Sequence, residues 1–157
     1  MDAYQYSLRL LSKRDYPEKK LREKLYQKKF LDADIDSAVK KLLEMNYLRE
    51  EEYARARIQG YLRKGYSAKF IKSKLSSEVS FEPELIKDVQ SGMNFDTRSS
   101  LQGLIQKKTK GVDIAKLPFE EKQKALLKVK RFLFSKGYGF DEINGALKIY
   151  GDEFTAD

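Results

Sequence analysis

Apolar residues fall at helical spacing along almost the whole chain and nowhere alternate long enough to suggest a strand. Tyr4, Leu8 and Leu11 recur at i, i+4, i+7 and predict a first helix. A turn at Arg14-Asp15-Tyr16 follows. Pro17 then reads as the first residue of a second helix, with Glu18 in its first turn and Leu21 and Leu25 on one face. Asp32 or Asp34 is suited to cap a third helix, whose stripe is Ile35, Val39, Leu42 and Met45.

The pattern then repeats. Three times a tyrosine is followed at +5 by Leu or Ile and at +9 by Leu: Tyr16, Leu21, Leu25; Tyr66, Ile71, Leu75; Tyr138, Ile143, Leu147. An offset of 50 residues maps Leu8 onto Ile58, Leu11 onto Tyr61, Ile35 onto Leu85, Val39 onto Val89 and Leu43 onto Met93. Self-similarity of this length marks a duplicated structural unit, and stacked repeats are expected to merge their apolar faces into one elongated core. The second copy predicts a helix over Glu50 to Arg63 and a turn at Lys64-Gly65-Tyr66, where Gly65 supplies the left-handed backbone. Ser67 should cap the next helix, and Pro83 should open the one through Leu85, Ile86 and Val89. Asp15 stands where Gly65 stands and is expected to take the same left-handed conformation. The third copy is displaced by 72 residues. A separate helix near Asp96–Lys108, stopped by Gly111, and a linker Val112–Pro118 account for the excess. A long helix from Phe119 to Lys136 with Leu126, Val129 and Leu133 inside then leads to Lys136-Gly137-Tyr138 and a last helix running to Gly151. Too few residues follow for a full third helix. The prediction is an all-α protein: tandem three-helix units, 1–48 and 49–95, then 96–157 as an inserted helix plus an incomplete unit, forming an elongated solenoid, straight or curved.

Composition narrows the chemistry. Among 157 residues there is no cysteine and no histidine, which excludes disulfides and thiolate sites and removes the commonest general base and metal ligand. No cofactor or metal is expected. No run of about 18 apolar residues and no charged-then-apolar leader is present, so neither a membrane span nor a signal peptide is expected and the cytoplasm is the expected compartment. Net charge is +8, distributed as +3, +2 and +3 over the three units. An excess spread in this way suits a long surface facing an anionic partner, although well-solvated lysine-rich helices carry the same charge.

The chain resembles the RecX family of bacterial recombinase regulators. The resemblance is carried by Leu10 to Leu25 in the first unit, by Asn46 to Ala54 with Arg63-Lys64-Gly65-Tyr66 and Ile71 in the second, and by Lys128 to Leu133 with Lys136-Gly137-Tyr138 and Ile143 in the third. Asn46 stands where the family usually has Gly, and Arg49 where it usually has the first of two acids; Glu50 keeps the second. The resemblance implies a negative regulator that binds a RecA-type recombinase filament on single-stranded DNA and inhibits its ATPase, pairing and strand exchange. Such a protein acts in DNA repair and the SOS response, as a monomer and without catalysis of its own.

Three sets of residues are candidates for contact. Arg55, Arg57, Arg63 and Lys64 form one basic cluster, where arginine's planar fork suits phosphate and carboxylate. Lys124, Lys128 and Arg131 form a second, at i, i+4, i+7 away from the apolar stripe. Tyr16, Tyr66 and Tyr138, with Gly65 and Gly137, invite a base-stacking reading but fit a repeated structural anchor better. Carboxylate pairs such as Glu51/Glu52 sit at helix starts, where they favour the macrodipole, and no Ser or Thr has a histidine partner. A helix-turn-helix DNA-binding protein is the rival function, opposed by acids at the start of each third helix, Asp32, Asp34 and Asp36, then Glu82 and Glu84. A purely protein-binding scaffold is the other. Weak, non-specific DNA contact is compatible with the charge.

Overall fold

Every substantial helix packing in the computed structural model, which describes residues 1–150, lies within one of three consecutive helical units. The first contains α1 (Ala3–Leu11), α2 (Glu18–Gln27) and α3 (Asp32–Glu44); the second α4 (Glu50–Arg63), α5 (Ala68–Leu75) and α6 (Glu84–Gly92). The third contains α7 (Thr97–Thr109), α8 (Phe119–Ser135) and α9 (Phe140–Leu147), with 3-10 turns at Ile114–Lys116 and Lys148–Tyr150. The described residues contain no strand, and no helix long and apolar enough to cross a membrane. The expected helix end at Gly151 lies outside the described residues.

The +9 leucines Leu25, Leu75 and Leu147 and the +5 residues Leu21, Ile71 and Ile143 are all fully buried, as the repeat predicts. Their cores, however, are three and not one. Leu21, Leu25, Ile35, Val39 and Leu42 close the first; Ile58, Ile71, Leu75, Ile86 and Val89 the second; Leu101, Ile105, Ile114, Leu126, Leu133 and Ile143 the third. The expectation of a merged core fails because neighbouring units meet through their turns and leave the helix flanks apart.

The third unit is complete after all. The inserted helix α7 packs on both α8 and α9, as α3 packs on both α1 and α2. It therefore does the work of a third helix while preceding the first two in the chain. Lys110 and Gly111, both left-handed, end α7 and turn the chain back.

Local signals differ from expectation at three places. Leu31, not Asp32 or Asp34, holds the cap position of α3 and makes no side-chain cap bond; both acids fall inside the first turn, where they face the dipole. Pro17 and Pro83 sit one residue before α2 and α6 and not within them. Asp15 is not among the left-handed residues. Its carboxylate instead accepts from Arg49 at 3.1 Å, a contact that fixes the turn from outside. Asn46 does take the left-handed conformation, at φ 57°. Ser67 caps α5 as predicted, its hydroxyl accepting from the Phe70 N–H at 3.1 Å.

Candidate partner-binding surface

Tyr16 and Tyr138 are buried, and the half-buried Tyr66 ring is stacked on Phe70 at 4.3 Å with the Lys136 ammonium 4.3 Å from its centroid. Burial or these contacts engage each ring. Burial also pushes the Tyr138 phenol above its ordinary pKa; its hydroxyl has no bonding partner, and the nearby Ser100 opposes the rise without reaching hydrogen-bond geometry.

Gly65 and Gly137, at φ +88° and +89°, bring the turns of the second and third units together. The Ser67 N–H donates to the Lys136 carbonyl at 2.9 Å and the Ser67 hydroxyl to the Gly137 carbonyl at 2.8 Å. A Cβ on Gly137 would lie 2.5 Å from Phe70 Cβ, and one on Gly65 2.6 Å from Leu104 Cδ2. The joint between the first and second units is polar by contrast. There the Glu18 N–H donates to the Glu50 carboxylate at 2.7 Å, Lys19 reaches the Ser77 carbonyl at 3.3 Å, and Arg49 pairs with Asp15.

The first basic cluster divides on inspection. Arg55 pairs with Glu51 at 3.0 Å one turn earlier. Arg57 donates to the Tyr61 hydroxyl at 2.8 Å and to Glu78 at 3.3 Å. Partial burial works against its charge, but Glu78 outweighs that and holds its pKa above the ordinary value. These two arginines are engaged within their own unit. Arg63 and Lys64, at the end of α4, are exposed and pair with no carboxylate among the described residues.

The second cluster is coherent. Lys124, Lys128 and Arg131 are exposed on the side of α8 opposite the buried Leu126, Val129 and Leu133, without a partner among the described residues. They span about 10 Å of helix axis. On one side of them runs a groove of about 290 Å³ lined by Lys108, Val112, Ile114 and Leu117. On the other lie three apolar side chains that sequence reading passed over: Leu127, Phe134 and Phe140, 45, 48 and 37% exposed. Leu127 and Phe134 are seven residues apart and out of phase with the core stripe, a signal present in the sequence but hidden beside the stronger one. In the second unit a hollow of about 470 Å³ lies between α4 and α6, lined by Glu51, Arg55, Phe81, Glu82, Glu84 and Asp88. No cluster of three carboxylates suited to a metal ion occurs among the described residues.

Comparison with known proteins agrees with this architecture. The family model for the first three-helix domain of RecX matches residues 3–42. The chain is similar to the regulatory protein RecX of Vibrio parahaemolyticus, 29% identical over 153 residues, covering 98% of this chain and 94% of the relative. It is 31% identical over 147 residues to that of Trichlorobacter lovleyi, covering 90 and 91%, and 30% over 148 residues to that of Vibrio vulnificus, covering 94 and 92%. Its fold matches the crystal structure of RecX from Lactobacillus salivarius with a TM-score of 0.70 at 18% identity, over 95 and 94% of the two chains.

Proposed function

The chain belongs to the RecX family of regulatory proteins, and from that membership we propose that it negatively regulates a RecA-type recombinase in the cytoplasm. It lies along the recombinase filament on single-stranded DNA and restrains ATP hydrolysis and strand exchange. The observation that carries this reading is similarity to regulatory relatives over nearly the whole length, all three units included.

The surface chemistry is of the right kind. An extended chain with the same sign of charge in every unit complements a long anionic assembly, and the unpaired cations Arg63, Lys64, Lys124, Lys128 and Arg131 are available to it. The helix-turn-helix alternative gains nothing, since Asp32 and Asp34 open α3, Glu84 opens α6, and all three are exposed. The test is DNA-dependent ATP hydrolysis by the cognate recombinase with added protein. Inhibition is expected, weaker at high salt because charge contacts are screened over about 8–10 Å, and reduced in the Lys128→Glu/Arg131→Glu variant. Arg57 is left untouched, because its reversal would break the Glu78 contact and confound folding with binding. Unchanged ATPase together with selective binding of one duplex sequence would overturn the proposal.

A further inference from the structure

We propose that the exposed face of α8 docks an acidic amphipathic helix of a protein partner. Leu127, Phe134 and Phe140 would take its apolar side, and Lys124, Lys128 and Arg131 its carboxylates. This goes beyond the recombinase reading and does not depend on it, since the recognised feature is a chemical pattern on any polypeptide.

Two parallel rows define the occupant. The basic row runs along α8 at 124, 128 and 131. The apolar row at 127 and 134 runs beside it, roughly 75° further round at helical periodicity. Phe140, at the start of α9, extends the apolar row sideways, its ring covered on one face by the Lys130 ammonium at 4.7 Å. A complementary surface must therefore carry an apolar row and an acidic row side by side at a similar rise. An amphipathic helix does so, with anchors at i, i+3 or i+4 and i+7. Glu120 and Glu121, in the first turn of α8, close the basic row at one end and so set where the acidic row must stop.

Single-stranded nucleic acid fits less well. Its phosphates would meet the cations, but its bases need open aromatic faces. Leu127 has no ring, and one face of Phe140 is taken by Lys130. Phe134 and the second face of Phe140 are all the ring surface the row offers.

The test uses the full chain and three probes. The first is a synthetic helix of about 20 residues, long enough to fold in water, with a leucine row and an adjacent glutamate row; the second has the same composition scrambled; the third is an oligo-dT strand. Amide shifts should move along α8 and the start of α9 with the first probe. Leu127→Ala/Phe134→Ala and Lys128→Glu/Arg131→Glu should each weaken that binding by about tenfold or more. Both pairs are exposed, so circular dichroism should be unchanged. Equal binding of the scrambled peptide, shifts confined to other faces, or variants that bind like the parent would each overturn the proposal. So would oligo-dT that seats on these residues and is lost in the alanine pair. Concentration-dependent self-association abolished by the same pair would assign the face to a second copy instead.

Discussion

Replacing Gly137 by alanine should be far more damaging than replacing Gly111, although both glycines are left-handed. At Gly111, φ is +77° and nothing lies within 4 Å of an added Cβ, so the change tests backbone conformation alone. A left-handed alanine costs about 1–2 kcal/mol, and stiffening of the unfolded chain returns about 0.4–1. Gly111→Ala should therefore lose about 1 kcal/mol. At Gly137 the same conformational cost is joined by a Cβ only 2.5 Å from Phe70 Cβ and 2.6 Å from Ser67 Oγ. Phe70 Cβ is fixed to the α5 backbone and cannot swing aside. Either the joint stays closed at an overpacking strain of about 1–3 kcal/mol, or the units separate and lose the two Ser67 hydrogen bonds at about 1 kcal/mol each. A total of about 2–4 kcal/mol is expected. Gly65→Ala should fall between them, because what it meets is the outer end of the Leu104 side chain, both methyls and Cγ, and not an atom fixed to backbone. Urea unfolding followed by circular dichroism measures the losses, and hydrogen exchange at the Ser67 amide reports the joint itself. If Gly137→Ala and Gly111→Ala lose stability within about 0.5 kcal/mol of each other, and Ser67 stays protected in both, the joint is not as close as described.

Truncating Leu25, Leu75 or Leu147 to Ala should cost about 2–5 kcal/mol each, and the paired losses of Leu25 and Leu75 should add within about 0.5 kcal/mol, since they lie in separate cores; strong non-additivity in urea titrations would contradict that separation. Tyr138→Phe should be neutral or stabilising near neutral pH, because it removes a buried hydroxyl that has no partner. The fold favours the neutral phenol, so this group's contribution is whole below its unfolded pKa of about 10 and declines as pH rises toward the elevated folded value. The phenylalanine variant should accordingly lose less stability than the parent between about pH 8 and pH 11, and an equal loss in urea midpoints would refute the assignment.

What the sequence made legible was each helix's inward face. Leu25, Leu75 and Leu147 could be named as core from spacing alone, and α4 was bounded correctly from Glu50 to Arg63, because periodicity records which side of a helix avoids water. It does not record which helix lies opposite. Hence the separate cores were missed, and α7 was read as an insertion although it completes the third unit. Charges behave similarly. Arg57 looked like a free surface cation until Glu78, 21 residues away along the chain, was seen beside it. Asp15 looked equivalent to Gly65 because the repeat aligns them, yet Arg49, absent from the other turns, gives it a different task. The apolar flank of α8 was visible as a spacing but had no meaning until the core stripe was assigned. The regulatory assignment was carried by resemblance, which no periodicity supplies.

The displaced order of the third unit has a consequence during synthesis. In the first two units the helix that closes the core is made last, so each can fold as soon as it clears the ribosome, at about 5–20 residues per second. In the third, α7 emerges first, and although Leu104 can meet the Gly65 turn already made, Leu101 and Ile105 wait for α8 and α9 to complete their core. For that interval a nascent chain with two finished units trails a sticky helix. This is the stretch where a chaperone would bind, and where a stalled or truncated product would aggregate.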